Sequence, residues 1–287
     1  MNHVKTIRCF IGILLAIVLL LTCAACSREQ EVIAAAPNQI QELTVARQEE
    51  IRANIEDAYT TEQNLTQQPG QLTEEDFPEG TKIMYLTFDD GPSSNTQEIL
   101  DILDTYDCQA TFFVVASGYD NEYQNIVDHG HTLALHTYTH DYETIYQSEE
   151  AYFEDLDAIA DLVYDLTGVT TNLIRFPGGS SNTVSENYNI GIMSRLAEEV
   201  ENRGYVYFDW NATNADASTE PYTADELYEF AISYDYEDVI VMLMHDTDYL
   251  DTTVECLPRV IEHYKNLGYE FLSLNENSYT AHLEIVN

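Results

Sequence analysis

The chain has 287 residues and carries 11 Lys and Arg against 51 Asp and Glu, a formal net charge of −40. That balance excludes partners that are themselves polyanionic, nucleic-acid backbones and anionic lipid headgroups above all, and favours neutral or cationic ligands. Hydrophobic residues still make up 45% of the chain, which excludes a disordered polyelectrolyte and leaves material for one sizeable core.

Residues 1–26 read as an export leader. Lys5 and Arg8 precede an apolar run over 9–21, and small residues follow through Ala24-Ala25-Cys26-Ser27. This pattern allows lipid attachment at Cys26 after cleavage, retention as a membrane anchor, or plain secretion. Ala24-Ala25-Cys26 resembles the end of a bacterial lipoprotein signal, with Cys23 standing where such signals carry an aliphatic residue. The expected location is therefore the cell surface, with membrane contact confined to the N-terminus. Residues 27–80 are rich in Gln, Glu, Thr and Ala, with a helix-compatible stretch over 39–59 and a break at Gln67-Gln68-Pro69-Gly70. They predict a stalk or linker.

From 81 to about 280, short apolar runs alternate with amphipathic helical segments, the pattern of βα units and a largely parallel sheet. Strands are expected over 83–88, 110–115, 132–136, 173–176, 205–210, 239–245 and 270–274. One helix is expected over 148–167, where Leu156, Ile159, Val163 and Leu166 recur at helical spacing, and another over 253–267 before Gly268. Thr223-Ala224-Asp225-Glu226 predicts a capping box. About seven parallel strands curl into a barrel or stay open, and both arrangements place ligands beside the strand C-termini. Outside the leader only Cys108 and Cys256 remain, so no disulfide framework exists and two buried free thiols are expected.

The polar residues fall where several of these strands end. The first strand runs into Asp89-Asp90-Gly91-Pro92, and adjacent carboxylates at a strand edge point in different directions, so one can hold a cation while the other acts as a base. After the third strand, His136 and His140 stand four residues apart and face one way if the segment takes a helical turn. Two histidines and a carboxylate form a common divalent-cation set that leaves room for water and substrate, with zinc the first choice and cobalt or manganese the alternatives. Arg175, inside a short apolar strand, requires a carboxylate partner, for which Asp89 is the candidate. Gly178-Gly179 lets backbone N–H groups approach a ligand as an oxyanion site requires, and the sixth strand delivers His245. No Gly-rich phosphate loop follows any expected strand, so nucleotide chemistry is not expected.

In this order, the motifs resemble those of the NodB-like polysaccharide deacetylases, the family-four carbohydrate esterases, over about 82–274. The resemblance implies an α/β fold, a distorted and incomplete (β/α) barrel of about seven parallel strands. It implies a metal-dependent hydrolase in which Asp89, oriented by Arg175, is the general base and His245 the general acid. Asp90, His136 and His140 would hold the metal, and the N–H of Gly178 would face the oxyanion. The segment 210–217 resembles the family stretch that carries a second Asp tuning the acid, here Asp216, with Trp210 on the substrate side. The chain has Ala217 where the family usually has Trp and Thr213 where it has an acidic residue, which opens one wall of the groove. Arg175-Phe176-Pro177-Gly178-Gly179-Ser180-Ser181-Asn182 is similar to the version found in clostridial-type exported deacetylases. The expected partner is a glycan polymer, with peptidoglycan N-acetylglucosamine first because a surface-held enzyme meets the cell wall. Chitin oligomers and acetylated xylan require the same site, whereas an inactive glycan-binding protein would show a damaged one.

Overall fold

The computed structural model describes residues 76–219 and 221–287. The leader with Cys26 and the expected stalk up to residue 75 lie outside the described residues. Among those described, no helix is long and apolar enough to cross a membrane.

The chain lays down β1 (Lys82–Asp89), α1 (Thr96–Thr105), β2 (Ala110–Val114), α2 (Asp120–Asp128), β3 (Thr132–Leu135), α3 (Tyr142–Ile145), α4 (Glu149–Thr167) and β4 (Leu173–Ile174). It continues with α5 (Ile192–Asn202), β5 (Val206–Tyr207), β6 (Ala212–Thr213), α6 (Ala224–Ile232), β7 (Val239–His245), α7 (Asp251–Asn266) and β8 (Tyr269–Phe271). Every strand pair is parallel. The strands follow the order β5-β4-β3-β2-β1-β7-β6 in a curled, incomplete barrel, as expected for the NodB deacetylase fold. β8 pairs with the first residues of β1, Lys82 to Met84, while β2 pairs with the last, Leu86 to Asp89. β7 runs along Ile83 to Asp89, so β8 and β2 share the other edge of β1.

Alternation along the strands decides what reaches the mouth. On β1, Ile83 and Tyr85 join Phe113, Ala134, Leu173, Phe208, Val241 and Leu272 inside the barrel. Met84, Leu86 and Phe88 pack outward with helix residues such as Leu100, Leu156 and Ile261. Continued by two residues at a time, the inner register carries through Thr87 to Asp89 and, on β7, from Val241 to His245. The helix expected over 148–167 and the expected capping box both form. Ser148 caps α4 by accepting from the Ala151 N–H at 3.1 Å, and Gly168 ends it at φ 71. Thr223 and Glu226 form the capping box of α6.

The barrel is open between its outer strands, β5 and β6, which the segment 208–211 joins. That segment was expected to continue a strand over 205–210, but only Val206 and Tyr207 pair in the sheet. Phe208 extends the ladder by one bond, to Ile174 O at 2.9 Å, and the chain then crosses the mouth. Asn211 replaces a strand there with its side chain: the amide donates to Val239 O and accepts from Val241 N, both at 2.8 Å. The two-residue β6 that follows makes the sheet eight-stranded rather than seven-stranded. Residues 281–287 stay on the domain, where Leu283 N donates to Asp209 Oδ2 and Ser194 N of α5 donates to Asn287 O, both at 2.9 Å. His282 stacks on Tyr207 at 3.9 Å and donates to its carbonyl at 3.0 Å. Cys108 and Cys256 are both buried and free.

Candidate active site

The site is built at the C-terminal end of β1. Asp89 is buried, and its Oδ1 accepts from Arg175 at 2.7 Å, the pairing that a buried guanidinium requires. Asp90 lies at φ 70, in the left-handed region, which turns its side chain away from that of Asp89. Its Oδ1 stands 3.5 Å from His136 Nε2 and 3.3 Å from His140 Nε2. Asp246 fixes the turn that follows. Buried beside Gly91, it accepts from the hydroxyls of Ser93 and Thr96, both at 2.5 Å, and its N–H donates to Asp89 O at 2.9 Å. A Cβ on Gly91 would lie 2.6 Å from Asp246 Oδ2, so this turn requires glycine. Burial pushes the Asp246 carboxyl up to about 6, against the lowering effect of the two hydroxyls.

The histidines reach the site by a different route from the helical turn that their spacing suggests. His136 sits at the end of β3, and Thr137 at φ 72 and His140 at φ 51 bend the intervening loop through left-handed backbone. For a β-branched Thr that conformation is strained and must be held by its surroundings. Asp155 on α4 holds it. This buried carboxylate accepts from Tyr138 N at 2.5 Å, Thr139 N at 3.1 Å and Thr139 Oγ1 at 2.7 Å. His136 Nδ1 lies 2.8 Å from the Arg175 carbonyl, which can only accept, so the proton sits on Nδ1 and Nε2 is free to ligate. Burial lowers the pKa of His136 against the opposing charge of Asp89, which keeps the ring neutral.

Asp90, His136 and His140 thus offer three ligand atoms within 4.8 Å of one another. Among the described residues Asp90 Oδ1 is buried and has no hydrogen-bond partner, a costly state that a cation between the three residues would relieve. One carboxylate and two imidazoles suit zinc and similar divalent ions, so the residues fit the group that the sequence implies.

Arg175 is fully buried and spans the open side of the barrel. Besides Asp89, it donates to Thr87 Oγ1 at 2.8 Å and to the carbonyls of Phe208 and Asp209 at 3.0 and 2.9 Å. These two carbonyls belong to the segment that leaves the sheet, and the guanidinium supplies the donors that a neighbouring strand would provide. Asp209 in turn accepts from Ser180 N at 2.8 Å and Leu283 N at 2.9 Å, fixing the loop after Gly178-Gly179. The Trp210 ring lies against Gly179, where a Cβ would meet its Cη2 at 2.7 Å. Across the mouth, His245 places Nδ1 2.7 Å from Asp216 Oδ1, and its N–H donates to Asp216 Oδ2 at 2.9 Å. Thr253 donates to the same Oδ2 at 2.8 Å. Burial opposes charge on the ring, but the hydrogen bond and charge of Asp216, helped by Asp89 and Asp90, prevail and raise its pKa to about 9.

The fold therefore brings Asp89, Asp90, His136, His140, Arg175, Gly178, Trp210, Asp216 and His245 to one mouth. Asp155, Asp209, Asp246 and Thr253 escaped the sequence analysis. For Asp155 a signal existed: an acidic residue directly beside Leu156, within the stripe that Tyr152, Leu156 and Ile159 bury.

Three candidate cation ligands beside an Arg-held carboxylate, faced by an imidazole paired with Asp216, suit hydrolytic chemistry. A family profile described as polysaccharide deacetylase matches residues 77–190, a span that includes Asp89 to Arg175 and stops short of Asp216 and His245. The YheN protein of Bacillus subtilis (strain 168) is 34% identical over 215 residues, 71% of each chain. A peptidoglycan-N-acetylglucosamine deacetylase of Bacillus cereus is 28% identical over 206 residues, covering 69% of this chain and 71% of that one. Among solved structures, the catalytic domain of the peptidoglycan N-acetylglucosamine deacetylase from Eubacterium rectale ATCC 33656 superposes with a TM-score of 0.71 at 40% identity. That match covers 74% of this chain and 96% of the other. The chain belongs to the polysaccharide deacetylase family and is a hydrolase.

Proposed function

We propose that the chain is a metal-dependent deacetylase that acts at the cell surface on the N-acetylglucosamine of peptidoglycan. The observation that carries this reading is the orphaned Asp90 Oδ1 between two histidine Nε2 atoms, next to Asp89 held by Arg175 and His245 held by Asp216. The glycan assignment is supported by the peptidoglycan deacetylases among the relatives and by the export leader, which also supports a tether through Cys26 or an uncleaved anchor.

A divalent cation held by Asp90, His136 and His140 would polarise the acetamide carbonyl and make the attacking water more acidic. Arg175 holds Oδ1 of Asp89, which leaves Oδ2 to take the water proton as the oxygen attacks the carbonyl carbon. The Gly178 N–H donates to the oxygen that gains charge. His245 enters the reaction as an imidazolium, since a pKa near 9 keeps it protonated at neutral pH. Its proton passes to the amide nitrogen as the C–N bond breaks, and acetate and a free amino sugar leave. Asp216 keeps Nδ1 as a donor, so Nε2 delivers the proton.

The pH profile of kcat/KM follows from these roles. Activity requires His245 protonated, so it falls along an alkaline limb where His245 loses its proton. A cation bound at Asp90 cancels part of that carboxylate's support, so the limb in the loaded enzyme lies below 9. Asp216→Asn removes the main source of the raised pKa and is expected to move this limb to lower pH by about one unit or more. A limb that stays in place would assign it to another group.

Substrate choice is tested by acetate release from peptidoglycan, chitin oligomers and acetylated xylan by the zinc-loaded full-length protein. Peptidoglycan is expected to give the highest kcat/KM, by about tenfold or more. A preference for xylan or chitin would overturn the substrate, and no acetate from any polymer would overturn the reaction.

A further inference from the structure

Gly178 lies at φ +77, and a Cβ on it would stand 2.5 Å from the hydroxyl oxygen of Tyr142 and 3.3 Å from Cε1 of the same ring. Tyr142 therefore occupies the space that a side chain at position 178 would fill. It opens α3, two residues beyond His140, and its ring is held on both sides. It meets the His140 ring edge-on at 5.6 Å and the Tyr146 ring at 5.5 Å. Tyr146 is fixed in turn, since its hydroxyl donates to Pro177 O at 2.7 Å. The ring of Tyr142 is thus placed by the same two loops that carry His136, His140 and the Gly178 N–H.

Its hydroxyl is left free. Among the described residues it forms no hydrogen bond, and burial together with the charges of Asp90 and Asp89 holds its proton in place. The Gly178 N–H likewise has no acceptor among the described residues. Two unengaged donors, the Tyr142 hydroxyl and the Gly178 N–H, are therefore brought together by the close approach of Tyr142 to Gly178. In the reaction proposed above, the Gly178 N–H donates to the acyl oxygen, and the Tyr142 hydroxyl lies beside that residue.

We infer that Tyr142 is a catalytic residue whose hydroxyl donates a hydrogen bond to the acyl oxygen beside the Gly178 N–H. The inference rests on the deacetylase reading. When the water oxygen bonds to the carbonyl carbon, the π electron pair moves onto the acyl oxygen, and both donors hold that charge. The pair returns to re-form the carbonyl as the C–N bond breaks and the nitrogen takes the proton of His245. Tyr142 keeps its own proton throughout.

Tyr142→Phe separates this role from packing, because it keeps the ring against His140 and Tyr146 and removes only the donor. In the zinc-loaded full-length protein acting on solubilised peptidoglycan, kcat is expected to fall roughly 10²-fold, as for other single oxyanion donors. KM, zinc affinity and melting temperature are expected to stay within about twofold, or within about 2 °C, because the ring remains. On the same glycan carrying trifluoroacetyl groups, the loss is expected to shrink, since that oxyanion is less basic and depends less on donors. A variant with kcat within about threefold of wild type, or one whose loss tracks weaker zinc binding, would overturn the role. Wild-type protein that releases no acetate would remove the reaction and this role together, whereas an active wild type matched by an equally active variant would remove only the role.

Discussion

Asp89→Asn is expected to lower kcat by about 10³- to 10⁴-fold, the upper range for losing a positioned general base. The amide keeps the shape of the carboxylate and still accepts from Arg175, so the fold and the cation site should survive. Asn cannot take a proton from water, and no second carboxylate replaces it, because Asp90 Oδ1 is committed between the two histidines. Zinc binding by calorimetry and acetate release from peptidoglycan, measured on the same preparation, separate the two functions. More than a tenth of wild-type activity in the variant would show that another group is the base.

The second large effect concerns stability. Arg175→Met removes four donor contacts at once and leaves a buried carboxylate, a hydroxyl and two carbonyls without their partner. Breaking a buried ion pair from one side costs about 3–5 kcal/mol, because the remaining charge stays buried. For a domain of this size that corresponds to a fall in melting temperature of roughly 10 °C or more. The open side of the barrel between β5 and β6 should loosen first, since the guanidinium holds the crossing segment. A thermal melt within about 2 °C of wild type would show that this segment is held by other means. Activity should fall as well, because Asp89 loses its anchor. The contrast with Asp89→Asn, which removes the base and keeps the anchor point, distinguishes the two contributions.

Much of this architecture was legible in the sequence because the long strands carry their own signal. Lys82–Asp89 and Val239–His245 are apolar runs that end in acidic or imidazole side chains, and a period of two fixes which side chain enters the barrel. The short strands were over-read. At 173–176 and 205–210 the apolar composition continues past the point where pairing stops, because Arg175 and the 208–211 segment line the mouth instead of extending the sheet. β6 was missed because a two-residue strand has no pattern, and because the Asn211 side chain does the pairing before it.

In the site, residue identities were easier to read than backbone shape. Four-residue spacing brought His136 and His140 together on paper through a helical turn, whereas the fold does so through left-handed residues that Asp155 restrains. Asp155, with Glu154 and Asp157 around it, looks like solvent-facing charge, and only its place within the apolar stripe marks it as buried. Tyr142 was invisible for another reason. Its relation to Gly178 is a matter of space filled by one loop and vacated by another, which no local pattern in the sequence encodes.

Metal dependence is tested most directly by stripping the full-length protein with a chelator and following acetate release from peptidoglycan as zinc is returned. Activity is expected to vanish on chelation and to return with one equivalent of zinc per chain, while Asp90→Asn requires far more zinc to recover any. Full activity in the chelated protein, or an Asp90→Asn variant restored at the same single equivalent, would contradict a reaction that depends on a cation at Asp90, His136 and His140.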